Sequence, residues 1–142
     1  MMNSATEGLE RFVEAQSRVY ELVVNELALG HKETHWMWFI FPQLKELGKS
    51  AIAKRFGIGS LDEARAYWAH PILGARLLEC TKTMLAQRNA NAFEILGTPD
   101  DLKFRSCMTL FTLAAPEEPA FKKALEMFFG GRPDATTVNL LA

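Results

Sequence analysis

Residues 98–114 have the sequence TPDDLKFRSCMTLFTLA, and they show most clearly how this chain folds. Thr98 suits the N-cap of a helix and Pro99 suits its first position, while the two aspartates that follow are favoured by the helix dipole. Apolar side chains then recur at helical spacing, at Phe104, Met108 and Phe111. The stretch therefore predicts a helix, with one buried face, that ends at about Ala114.

Capping and periodicity signals of the same kind divide the rest of the chain into further helices. The predicted helices run over about residues 7–29, from Ser50 to Phe56, from Ser60 to Trp68, from Pro71 to the asparagines at 89 and 91, over residues 92–96, and from Pro116 to Gly130. No alternating strand pattern of useful length occurs. The sequence thus predicts an all-α fold, an irregular bundle of about six or seven helices in a single domain over residues 1–142.

Two segments stay open at this point. In residues 31–43 nearly every side chain is apolar, so the period cannot be determined, although Thr34 is a possible N-cap and Pro42 would end any helix there. Residues 134–142 carry no clear pattern.

The composition favours one soluble domain. The chain has 142 residues, of which 49% are hydrophobic and 23% charged, and its 16 basic and 17 acidic side chains give a net charge of −1. Because these charges alternate, neither nucleic acid nor a membrane surface is an expected partner. The charged side chains among the first 30 residues argue against a signal peptide, so a cytoplasmic location is expected. Both cysteines, Cys80 and Cys107, are predicted to be reduced and buried.

Several short motifs resemble catalytic or metal-binding signatures without completing them. The run Gly48-Lys49-Ser50 lacks the glycine that a phosphate-binding loop needs at position 43. His31 and His35 have helical spacing, but His70 is the only other histidine, so neither a metal nor a cofactor is predicted. Ser106-Cys107 has no local activating group, and the apolar residues around it predict an inert thiol.

The unusual stretch is residues 32–43, KETHWMWFIFPQ, in which two tryptophans and two phenylalanines alternate with a few polar groups. Such a segment either fills a core or lines a pocket. We predict that Trp38, Phe39 and Phe41 belong to the core. The remaining side chains, which are Lys32, His35, Trp36 and Gln43, are predicted to form the polar rim of a cleft.

The chain resembles the domain of unknown function 1810 family over residues 9–134. The residues that carry the resemblance are Gly30, Lys32, His35-Trp36-Met37-Trp38, Phe41-Pro42-Gln43, Leu47-Gly48, Ser50, Glu63-Ala64, Tyr67, His70-Pro71, Leu73-Gly74, Arg76-Leu77, Lys103, Ser106 and Met108-Thr109-Leu110-Phe111. The resemblance implies an all-α domain and supplies no reaction, so no catalytic residue can be assigned. A shorter stretch from His70 to Thr81 is similar to the NADAR family, whose members process ADP-ribose derivatives.

These observations lead to one favoured hypothesis and two alternatives. In the favoured one, Arg76 and Lys103 also line the cleft, which binds or processes a small anionic ligand such as a nucleotide or an ADP-ribose derivative. The Lys and Arg side chains would contact the phosphate, and Trp36 would stack on the base. The alternatives are a protein-interaction module and a homo-oligomer, either of which would use the aromatic segment. The sequence decides neither whether the protein is an enzyme nor its oligomeric state.

Overall fold

The computed structural model describes residues 8–142, and within them the predicted all-α fold is confirmed. The helices are α1 Glu10–Ser17, α2 Tyr20–Ala28, α3 Met37–Ile40, α4 Ala51–Arg55, α5 Leu61–Ala69, α6 Leu73–Leu85, α7 Ala92–Leu96, α8 Asp100–Ala114, α9 Pro119–Phe129 and α10 Ala135–Leu141, with a 3₁₀ turn at Lys45–Leu47. No strand occurs in this part of the chain, although an isolated bridge joins Leu44 to Ile58.

The helix predicted from residues 98–114 is the centre of the bundle. It is α8, which packs against α5, α7, α9 and α10. Phe104, Met108 and Phe111 are fully buried, as their spacing predicts. The helix begins one residue later than expected, because Pro99 rather than Thr98 occupies the N-cap position.

The first predicted helix is corrected by the structure. Its predicted start at residue 7 lies outside the described residues, and the remainder divides into α1 and α2 at Arg18 and Val19. The division lets the two halves pack on different partners, since α1 lies against α3 and α2 lies against α6.

Local capping accounts for most of the other helix ends. Ser50 and Ser60 cap α4 and α5 through their hydroxyl oxygens, as predicted. The start of α6 differs from the prediction: Nδ1 of His70 accepts the backbone N–H groups of Ile72 and Leu73, so the helix begins two residues after Pro71. The undetermined tail forms α10, which Asp134 caps. None of the helices in residues 8–142 is both long enough and apolar enough to cross a bilayer.

Candidate functional site

A cleft of about 570 Å³ follows the outer face of α8. Its volume lies in the range of ordinary small-molecule sites. Its lining residues come from four parts of the chain, and they are Gln43, Leu47, Gly48, Lys49, Ser50, Ala53, Pro99, Leu102, Lys103, Arg105, Ser106, Asp134 and Thr136.

The walls of the cleft are fixed by hydrogen bonds that local sequence explains. On one side, the backbone of Gln43 accepts the N–H of Ile58 at 2.9 Å, which holds the loop after α3 in place. On the other side, Oγ1 of Thr109 accepts the N–H of Asp134 at 2.8 Å. The Asp134 carboxylate in turn caps α10 by accepting the N–H of Thr137 at 3.0 Å. The start of α10 is thereby tied to α8 beside the cleft.

Three cationic side chains line the cleft: Lys49, Lys103 and Arg105. Arg105 is held from behind, because its Nε donates to the carbonyl of Arg132 at 2.9 Å and its guanidinium lies 5.7 Å from the centre of the Phe129 ring. Its two terminal nitrogens have no hydrogen-bond partner among residues 8–142. Asp134 is the single acidic residue of the lining. The balance of charge therefore favours an anion.

Lys103 and Lys32 share one carboxylate, that of Asp100. Nζ of Lys32 lies 2.9 Å from Oδ2 of Asp100, and Nζ of Lys103 lies 4.0 Å from Oδ1. The Lys32 side chain is only 8% exposed, whereas that of Lys103 is 27% exposed and lines the cleft. Lys32 thus belongs to the support of the site, and Lys103 to its surface.

Trp36 is not on the rim of a cleft, contrary to the prediction. It is 1% exposed, and its indole N–H donates to the Glu26 carboxylate at 3.0 Å. That carboxylate also accepts the backbone N–H groups of Glu33 and Thr34 and the Thr34 hydroxyl. Thr34 therefore bonds to Glu26 instead of capping α3, which has no side-chain cap. Burial of the indole is possible because Glu26 satisfies its N–H.

The same carboxylate has an altered acidity. Burial disfavours the charged form of Glu26, but the hydrogen bonds from Thr34, Glu33 and Trp36 outweigh it and lower the pKa to about 2. Glu26 is therefore ionised at neutral pH, and four donated hydrogen bonds stabilise its charge.

Trp38 is the aromatic residue of this segment that reaches the surface in part. The prediction placed it in the core together with Phe39 and Phe41; these two rings are buried, but Trp38 is half-buried and packs against the core from outside. It lines a small niche next to the cleft together with Gln43 and Lys103, whose Nζ lies 5.8 Å from the centre of the Trp38 ring.

The two other predicted rim residues lie away from the cleft. His35 is exposed, and it lines neither the cleft nor the niche. Arg76 lies on α6, where its guanidinium stacks 4.8 Å from the centre of the Tyr20 ring and approaches the side chain of Gln16 at 3.4 Å. Of the six predicted ligand-binding residues, the structure brings Gln43 and Lys103 together.

The remaining reactive side chains do not form a second centre. Cys107 is buried as predicted, and burial raises the pKa of its thiol well above the usual value. Among residues 8–142, no three His, Cys, Asp or Glu side chains form a group that could hold a metal ion.

Comparison with known proteins agrees with the resemblance found in the sequence. A family model described as "Protein of unknown function (DUF1810)" matches residues 6–141. The chain belongs to the DUF1810 family. A solved structure, that of the conserved hypothetical protein Rv1873 from Mycobacterium tuberculosis, is 50% identical, with a TM-score of 0.92 over 94% of this chain and 95% of that one. No curated protein matches.

Several residues that carry the DUF1810 resemblance meet at the cleft although they are far apart in sequence. They are Gln43, Leu47, Gly48, Ser50, Lys103 and Ser106. Sequence reasoning did not assign Lys49, Arg105, Asp134 or Thr136 to the site. Lys103 and Arg105 are two residues apart and so do not share a helix face, and no local signal indicated that Arg105 belongs to the cleft.

Proposed function

We propose that the cleft along α8 binds a small anionic ligand that carries phosphate. The observation that supports this most directly is the state of Arg105. Its Nε donates to the carbonyl of Arg132 and its guanidinium lies 5.7 Å from the centre of the Phe129 ring, while both terminal nitrogens have no partner in residues 8–142. A guanidinium with its position fixed and its outer edge unpaired is suited to a bidentate contact with phosphate.

Further groups of the lining complement this contact. Lys103 and Lys49 add positive charge, and Gln43 offers an amide with no side-chain partner in residues 8–142. Pro99, Leu102 and Leu47 supply apolar surface on which the uncharged part of a ligand can lie. A concave site that combines apolar surface with a few polar groups is typical of small-molecule binding, and a nucleotide or an ADP-ribose derivative has both parts.

The alternative functions required the aromatic segment to be exposed. Trp36, Phe39 and Phe41 are instead buried, which leaves Trp38 as the aromatic side chain of that segment that reaches the surface in part. An interface between proteins usually buries several large side chains at its centre. The cleft is therefore the better supported site.

The proposal is tested by thermal unfolding and calorimetric titration with inorganic phosphate, AMP and ADP-ribose at low salt. A ligand present at 100 times its dissociation constant should raise the melting temperature by roughly 5–10 °C. Lys103→Gln should reduce the affinity about tenfold, because it removes one charge from the cleft and leaves its shape.

Lys123→Gln provides the matched control, since Lys123 is an exposed cation on α9 that does not line the cleft. It should bind the same ligand as tightly as the unmodified chain. Absence of binding for all three ligands, or equal loss of affinity in both variants, would exclude this cleft as the anion site.

A further inference from the structure

We infer that the cleft is built for two linked anionic groups, as in a diphosphate, rather than for a single phosphate. This inference rests on the proposed anion site and names the class of ligand. It follows from where the two cations of α8 stand, what holds each of them, and how much room lies between them.

The two cations leave α8 in different directions around the helix axis. Lys103 and Arg105 are two residues apart, and an α-helix turns by about 100° per residue, so their side chains leave the helix roughly 160° apart. Leu102 and Ser106 are four residues apart and lie between them on one face, where both line the cleft. The two cations thus flank this face from opposite sides.

Contacts with neighbouring residues hold each cation on its own side of this face. Lys103 is held toward α3, because its Nζ lies 4.0 Å from Asp100 and 5.8 Å from the ring centre of Trp38. Arg105 is held toward the end of α9, by its bond to the Arg132 carbonyl and by its proximity to the Phe129 ring, whose centre lies 5.7 Å from its guanidinium. These contacts hold the two cations toward different ends of the cleft.

The cleft is larger than a single phosphate needs, and the helix face between the two cations carries no charge. The cleft encloses about 570 Å³, far more than a single phosphate fills. Ser106 is a small residue whose hydroxyl is already used, since it donates to the Leu102 carbonyl at 3.2 Å. Lys49 adds a third cation on the opposite wall. A diphosphate offers two charged groups, one for each flank, whereas a monophosphate offers one.

The experiment compares inorganic pyrophosphate with inorganic phosphate by calorimetry, at equal low ionic strength and without divalent metal. Pyrophosphate should bind the unmodified protein at least about tenfold more tightly than phosphate. In Lys103→Gln and in Arg105→Gln this preference should fall below about threefold, because each variant leaves a cation on only one flank of this face of α8. AMP and ADP, compared in the same way, show whether the preference extends to an organic diphosphate.

Two controls keep the result interpretable. Lys123→Gln should retain the full preference for pyrophosphate over phosphate. A simple dependence on ligand charge would give the same result for this variant. The deciding measurement is therefore whether the preference is lost in the cleft variants. Because Arg105→Gln removes the tether to Arg132, Arg105→Lys is included: it keeps the charge, loses the Nε contact, and should also reduce the preference.

The outcomes are distinct for the two proposals. If phosphate and pyrophosphate bind equally well and both weaken in the cleft variants, the anion site stands and the inference of a diphosphate is overturned. If neither binds, the proposed function itself fails. If the cleft variants keep the full preference for pyrophosphate, the two-flank arrangement does not produce it and the inference is wrong.

Discussion

Glu26 determines where the chain goes after α2, although it lies outside the cleft. Its carboxylate accepts two backbone N–H groups, one hydroxyl and one indole N–H, all from residues 33–36. Burial alone would raise the pKa of this carboxyl group, whereas the donated hydrogen bonds lower it to about 2. The turn that leads into α3, and so to Gln43 at the cleft, depends on this one charge.

Glu26 should make the stability of the protein depend on pH in a specific range. Its pKa in the folded protein is about 2 against an ordinary 4.5, so its contribution is complete above pH 4.5 and is lost as the pH falls toward 2. The difference corresponds to about 3 kcal/mol at neutral pH. Glu26→Gln should therefore lower the free energy of unfolding by about that amount at pH 7, and by about 2 kcal/mol less at pH 3.

Urea denaturation of both proteins at the two pH values measures the difference directly. Every other carboxyl group is common to both proteins. A change with pH in the difference between their free energies of unfolding therefore comes from Glu26. A gap that stays the same from pH 7 to pH 3 would show that the carboxylate is not held by these donors in its charged form.

The burial of the two tryptophans in this segment could not be predicted from the sequence. Trp36 and Trp38 are two positions apart in a segment without a determinable period, and composition could not show which of them is buried. The deciding partner of Trp36 is Glu26, which lies ten residues earlier on another helix. A hydrogen bond between elements leaves no local trace, so the prediction exchanged the core and rim roles of these two residues.

At the scale of elements, α10 depends on one capping residue. Asp134 accepts the N–H of Thr137 at 3.0 Å and the Thr137 hydroxyl at 2.6 Å. Asp134→Ala removes both bonds and should cost about 1 kcal/mol. Because α10 is short and packs mainly on α8, the loss should appear as faster amide hydrogen exchange over residues 137–141.

Asp134→Asn is the matched comparison, because asparagine caps helices about as well as aspartate does. It should keep the exchange protection of α10 nearly unchanged, and neither variant should alter the protection of α8. Equal exchange in the two variants would mean that the tie between Asp134 and Thr109, rather than the cap, holds this helix.

Helix ends were predictable where the signal is local. Ser50, Ser60 and the residues around position 98 carry their capping chemistry within a few positions of the helix, and there the predictions agree with the structure to about one residue. The break between α1 and α2 was not predictable, because their apolar spacing continues through it. The break follows from packing on α3 and α6, which are distant in sequence.

At the scale of the whole molecule, the cleft exists only because separate parts of the chain meet on α8. Four residues of its lining span more than 90 positions of the chain: Gln43, Ser50, Lys103 and Asp134. Local patterns predicted the helix that carries Lys103 and the cap at Ser50, but they left the segments of Gln43 and Asp134 undetermined and did not show which helix faces come together. Gln43 and Lys103 were therefore predicted by residue type, whereas Arg105 and Asp134 required the fold.

The burial of both cysteines gives a test of how cooperatively this bundle holds together. Cys80 and Cys107 are 1% and 0% exposed, and burial raises the pKa of Cys80 to about 12 and that of Cys107 well above its usual value. A thiol reagent needs both access and the thiolate. In the native protein at pH 8, labelling should be at least about a thousandfold slower than in urea, because it requires an opening that costs several kcal/mol.

Cys80→Ala leaves the thiol of Cys107, which reports on α8. Cys107→Ala leaves the thiol of Cys80, which reports on α6. If the core opens as one unit, the two labelling rates rise with urea along the same slope, and that slope equals the one from equilibrium unfolding. Cys107, at the centre of α8, is the stricter probe. Its rapid labelling without urea, or a rate independent of low urea, would show that α8 opens locally, and the floor of the cleft would then not be the rigid support from which Lys103 and Arg105 are held apart.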